Sequence, residues 1–189
     1  MLQLWVDCET TGIDSAFYGA FEFAFLIFRE GRFIEEKVYH LNPLNETIRF
    51  GEEAYKVNGV SEKTIRSYPP AEEVIPEIGN WLAYYCGEEE EKFILAGYKV
   101  NFDYEHLKAL FDRCNVSTDY FFDGRIIDVF ALVQRAYGKK IIKYTPDKKL
   151  ETVTKALGIP HNDAHTALSD IWATRKLYET IRAMERKTQ

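Results

Sequence analysis

Three apolar, aromatic-rich runs crowd the first forty residues, and they constrain the fold more than anything that follows. Residues 2–7 alternate weakly and end at a polar cluster, the pattern of a buried strand. Residues 21–28 and 32–40 are aromatic and β-branched enough for two more. Glu30-Gly31 between the last two predicts a tight hairpin, although Gly at the second position fits only some turn types.

Downstream the apolar period changes. Helices are expected over 52–57 and 71–85, with Tyr68-Pro69-Pro70 stopping the first unit. Residues 93–97 form a short apolar run suited to a fourth strand. Residues 103–113 then place Leu107, Leu110 and Phe111 at the i, i+3, i+4 spacing of a helix face. A fifth strand fits 125–127, followed by a helix over 129–137 that Asp128 would cap by accepting first-turn amides. Helices over 150–157 and 166–184 complete the set. Three consecutive strands followed by alternating strand and helix predict an α/β layer with a central mixed five-stranded sheet flanked by helices.

The length of 189 residues suits one domain over 1–189. The longest apolar run is broken by Glu22 and Arg29, so no membrane span is expected. The N-terminus lacks the pattern of a secretory signal, and Cys8, Cys86 and Cys114 are an odd, scattered set with no zinc spacing. Both point to a cytoplasmic protein. The net charge of −6 argues against a strong, sequence-specific duplex binder, which would present a basic surface. An enzyme that takes only a strand end is under less of that pressure.

Asp7 and Glu9 lie two residues apart at the end of the first strand, so their side chains point to one side and can reach one metal. Hard cations such as Mg²⁺ prefer oxygen ligands and leave room for phosphate oxygens. The pair alone is weak, since about one such spacing is expected by chance in a chain this size. Asp103-Tyr104-Glu105 is a second instance. What distinguishes the first is the small-residue turn Thr10-Thr11-Gly12 that follows it, where backbone can approach a ligand. Asp103 opens a helix after the fourth strand and reads equally well as a first-turn acid. His165 and Asp170 flank the start of the last helix. Five helical steps separate residues by roughly 140°, so His165 belongs to the cap or preceding loop, leaning over a site that Asp170 reaches from inside the helix. Each of these positions ends an element, where sites are built on a rigid frame. Carboxylates gathered there would repel one another without cations.

Taken in order, the motifs resemble the DEDD exonuclease superfamily, in its branch with a histidine in the last motif, typified by bacterial replicative-polymerase proofreading subunits. The resemblance is carried by residues 6–12 (Val-Asp-Cys-Glu-Thr-Thr-Gly) and 56–61 (Lys-Val-Asn-Gly-Val-Ser). It continues through 96–98 (Ala-Gly-Tyr), Asn101-Phe102-Asp103 and 164–170 (Ala-His-Thr-Ala-Leu-Ser-Asp). It implies a ribonuclease H-like fold and stepwise 3′→5′ release of nucleoside 5′-monophosphates. It also implies two Mg²⁺ or Mn²⁺ ions on Asp7, Glu9, Asp103 and Asp170, with Asp7 bridging both and His165 as general base. Many relatives carry His-Asn shortly before Phe-Asp, where this chain has Tyr98-Lys99. That departure reads as substrate tuning, because Asp103 remains.

Thr10, Thr11, Gly12, Ile13, Tyr98, Asn101 and Phe102 are the candidate substrate contacts. The resemblance suggests Ile13 as a wedge against the terminal base, and a loop anchor is its equal alternative. Phe17, Tyr18 and Tyr98 could stack on unpaired bases, with core packing the commoner role. Lys139, Lys140, Lys143, Lys148 and Lys149 surround Tyr144 in the densest basic run, readable as a strand-holding loop or as a solvated one. The expected substrate is the 3′ end of single-stranded or frayed DNA. The alternatives are an exoribonuclease that trims short or structured RNA, and a non-catalytic nucleic-acid or polymerase-docking module. A separate DNA polymerase is a candidate partner, reached through the folded surface.

Overall fold

In the computed structural model, residues 1–87, 91–161 and 166–187 are described. Five strands form one sheet: β1 (Leu2–Thr10), β2 (Ala20–Arg29), β3 (Arg32–His40), β4 (Phe93–Gly97) and β5 (Phe122–Asp128). Their order is β3-β2-β1-β4-β5. The first three pair antiparallel, while β4 and β5 run parallel to β1. The Glu30-Gly31 turn has positive φ at both residues (53° and 79°), the turn type whose twist matches the flanking strands. The mixed α/β sheet is therefore the one expected.

Seven helices connect and cover the sheet among the described residues. They are α1 (Glu52–Asn58), α2 (Glu62–Ile65), α3 (Ala71–Cys86), α4 (Asn101–Arg113), α5 (Val129–Gly138), α6 (Leu150–Ala156) and α7 (Ala167–Lys187). Alternation along the strands separates two cores. Leu2, Leu4 and Val6 of β1 join Phe23, Phe25 and Ile27 of β2 under Ile75, Ile78 and Leu82 of α3 and Leu107 and Leu110 of α4. Trp5 joins Ala24, Leu26 and Phe28 beneath Val133, Val153, Ile171 and Leu177 of the later helices. Each fully buried Leu, Ile or Phe contributes roughly 1.5–3 kcal/mol from apolar burial. With both faces covered, the central strands read as near-continuous apolar runs.

Several boundaries differ from the sequence reading. β1 runs on to Thr10, because its pairing with β2 continues to Thr10↔Ala20 across an irregularity at Glu9/Thr10. Helix α4 begins two residues before Asp103, and β5 starts at Phe122. The four-residue α2 had no apolar period to reveal it; it is set by Ser61, whose hydroxyl accepts from the Thr64 amide at 3.1 Å. No described helix is long and apolar enough to cross a membrane.

Candidate active site

The alternation that buries Trp5 also aims Asp7 and Glu9. They continue the Trp5 face of β1 beyond the apolar core, toward the side covered by α7. Asp170 enters from the first turn of α7. One carboxylate oxygen from each of Asp7, Glu9 and Asp170 lies within 4.8 Å of the other two. Asp103, 3% exposed in the first turn of α4, stands beside this group without joining it. Its Oδ1 accepts the Cys8 amide at 3.0 Å, which ties α4 to the backbone between the two β1 acids.

The electrostatics show the cost of this gathering. Burial pushes the Asp7 carboxyl well above its ordinary range, and the charges of Asp103, Asp170, Glu9 and Glu22 push the same way. Glu9 is pushed up to about 8, first by burial and then by Asp170, Glu22 and Asp103. Asp103 rises to about 7 through burial, against the lowering effect of its hydrogen bonds from Cys8. All the donors are carboxylate oxygens, which suits hard divalent cations, and a cation would relieve the repulsion. The residues therefore fit the ions that the resemblance implied.

Two neighbours were not singled out from sequence. Glu22 pairs directly with Glu9 across β1 and β2. Its Oε1 accepts the Ala167 amide at 2.9 Å, and its Oε2 lies 3.1 Å from His40 Nε2. The signal was there: an acid inside an otherwise apolar strand needs a polar partner. His161 places Nε2 2.7 Å from Asp170 Oδ1 and Nδ1 3.5 Å from Thr154 Oγ1. His165 itself lies outside the described residues.

The turn after β1 forms one wall of a cleft of about 710 Å³ that includes Glu9, Thr10, Gly12, Ile13, Val57 and Phe102. Its hydroxyls serve the loop: Thr10 Oγ1 donates to the Gly12 carbonyl and Thr11 Oγ1 to the Arg49 carbonyl, both at 2.8 Å. Gly12 is required by close approach, since a Cβ there would meet the Tyr18 ring at 2.3 Å. Asn58 Nδ2 donates to the Thr10 carbonyl, so the 56–61 motif braces the same turn. Ile13 projects from the turn and is 84% exposed. Buried His106, whose pKa burial lowers below the ordinary imidazole value, can donate from Nε2 to the Ile13 carbonyl at 3.1 Å. Of the remaining candidates, Phe102 lines the cleft, whereas exposed Asn101 borders a separate depression with Tyr104 and Phe122. Tyr98 points elsewhere, donating its hydroxyl to the Lys148 carbonyl.

The exonuclease family of the RNase T type matches this chain over residues 4–178. The chain belongs to that family. The DEDD resemblance read from the motifs thus holds for this exonuclease-family chain. It is 25% identical over 182 residues to a DNA polymerase III PolC-type protein of Thermotoga petrophila, covering 96% of the chain but only 12% of that relative. Its fold matches E. coli exonuclease I in complex with a dT13 oligonucleotide, with TM-score 0.84 at 21% identity, over 99% of the chain and 42% of the exonuclease. A zinc-bound form of the E. coli exonuclease I–single-stranded DNA complex matches with TM-score 0.85 at 22% identity, over 98% of the chain and 41% of that protein. The exonuclease-family chain thus spans a fraction of each of these proteins.

Proposed function

We propose that the chain is a metal-dependent 3′→5′ exonuclease that releases nucleoside 5′-monophosphates from single-stranded or frayed DNA. The convergence of Asp7, Glu9 and Asp170 oxygens beside an open cleft carries this reading. Asp7, Glu9, Asp103 and Asp170 would hold two Mg²⁺ or Mn²⁺ ions. When bound, such ions lower the pKa of an attacking water and stabilise charge on the leaving 3′ oxygen. The cleft, with Ile13 on its rim and Phe102 in its wall, would receive the terminal nucleotide. The Cys8–Asp103 bond and the Glu22–Ala167 bond would hold the acids in place while the phosphate enters. His165 would take the proton from the water, a task that suits an imidazole near neutral pH.

The named relatives, a DNA polymerase and an exonuclease bound to an oligodeoxynucleotide, favour DNA over RNA and a polymerase as the partner class. Digestion of 5′-labelled single-stranded DNA and RNA of matched sequence, with Mg²⁺, Mn²⁺ or EDTA, tests the reading. A metal-dependent ladder that shortens from the 3′ end, faster on DNA and lost in Asp7→Asn, is expected. No cleavage of either polymer with any metal would overturn it, and faster RNA cleavage would name an exoribonuclease. His165→Ala should lower kcat by about 10²–10⁴-fold with little change in KM. His161→Ala should cost much less; the reverse ranking would move the base role to His161.

A further inference from the structure

Among the described residues, the cleft at the acids offers no cation to hold the rest of a polyanionic strand. Its lining includes Glu9, Asp14, Glu52 and Glu53 and no lysine or arginine. In a chain of net charge −6, Lys139, Lys140, Lys143, Lys148 and Lys149 nevertheless crowd the connection between α5 and α6. All five are exposed. Among the described residues none of them forms a salt bridge with a carboxylate.

This connection is tied down. The Tyr98 hydroxyl donates to the Lys148 carbonyl, and Thr145 Oγ1 donates to the Asp147 carbonyl. The hydroxyl of buried Tyr137 lies 2.5 Å from Thr145 Oγ1, and the Lys149 amide donates to Asp147 Oδ1 at 2.9 Å. Tyr144 stacks one face on Tyr137, with centroids 4.7 Å apart and planes 13° from parallel, yet remains 76% exposed. An aromatic face is thus held open to solvent among cations, with its ordering cost already met within the fold.

The anchors also place the segment. Tyr98 directly follows Gly97, the last residue of β4, and β4 runs parallel to β1, whose carboxyl end bears Asp7 and Glu9. Lys149 is the N-cap of α6; Thr154 of that helix lies beside His161, which contacts Asp170. The basic segment therefore lies at the same end of the sheet as the acids, the carboxyl ends of β1 and β4, and is joined to Asp170 through one short helix.

We infer that residues 139–149 form a strand-holding surface, on which lysines neutralise the phosphates of a single-stranded polynucleotide 5′ to the scissile bond and Tyr144 stacks on one of its bases. Charge complementarity and the free aromatic face select this occupant, since stacking tolerates any sequence and suits unpaired bases. The inference rests on the exonuclease reading of the acid cluster.

The test compares wild type with Lys140→Ala/Lys143→Ala/Lys148→Ala and with Tyr144→Ala. The three lysine positions are exposed and their substitution should leave Tm unchanged. Substrates are single-stranded DNA and RNA of about 20 nucleotides, long enough for several phosphate contacts, and the p-nitrophenyl ester of thymidine 5′-monophosphate, which is too small to reach the segment. For the triple variant, KM on the long strand should rise about tenfold or more with kcat unchanged. The slope of log KM against log salt should fall by about 2, at about 0.7 per lost contact. Hydrolysis of the ester should not change. The polymer with the larger KM rise is the one held. Unchanged KM and salt slope on both polymers would overturn the inference with the exonuclease reading intact, as would an equal loss on the ester. If wild type cleaves nothing, the acid-cluster reading fails instead, and fluorescence anisotropy of the labelled strand then decides the surface: weaker binding by the triple variant supports it, and equal binding overturns it.

Discussion

At the scale of residues, the acids illustrate how a site is assembled at the expense of stability. A carboxyl whose folded pKa stands above its ordinary value binds a proton in the native state that the unfolded state has released. For Glu9 that window runs from 4.5 to about 8, so metal-free stability should fall as pH rises through it. Glu9→Gln removes the titrating group and one source of repulsion on Asp7. In EDTA near pH 8 it should melt at least about 3 °C above wild type, the shift of roughly 1 kcal/mol in a chain of this size. The gain should shrink toward pH 4.5 and be offset by added Mg²⁺, which stabilises only the protein that binds it. Scanning calorimetry across pH with and without metal checks this; a variant less stable than wild type at pH 8 would show that Glu9 is not strained by its neighbours.

Single contacts also decide how whole elements are seated. Helix α7 carries Asp170, and its Ala167 amide is bound by Glu22 of β2. Glu22→Ala removes that tie but also removes an acid opposite Glu9, so stability should change little. Activity should nevertheless fall about tenfold, with a higher Mg²⁺ requirement, because Asp170 loses its fixed distance from β1. Glu22→Gln keeps an acceptor oxygen and should recover most of the loss, which a Mg²⁺ titration of both variants would reveal. Asp128 serves two elements at once: Oδ1 accepts the Phe130 amide at 2.9 Å as the cap of α5 and the Lys99 amide at 3.0 Å after β4. Asp128→Ala should cost about 1–2 kcal/mol in urea unfolding, the usual range for a lost cap. The cap was readable from an acid just before an apolar helical period. The second bond was not, because Lys99 and Asp128 meet only once β4 and β5 pair.

For the molecule as a whole, a sheet buried on both faces makes stability depend on the central strands. Phe25 is fully buried and packs against Phe23, Tyr39 and Trp81, with ring centroids 5.6 to 6.3 Å away. Phe25→Ala should cost about 3–5 kcal/mol, a large share of the roughly 5–15 kcal/mol available to a native protein. A urea midpoint close to wild type would contradict that packing.

The sequence alone was enough to place the five strands, the mixed sheet and the cap at Asp128, because period and turn chemistry are local properties; it marked the acids at positions 7, 9, 103 and 170 as candidates. It could not show that α7 is fastened through Glu22, that His161 touches Asp170, or that Tyr98 leaves the cleft to anchor a basic loop. Nor could it rank the acids, three of which converge while Asp103 stands apart on a backbone amide. Those outcomes depend on which surfaces meet when distant segments pack, and tertiary structure alone decides them.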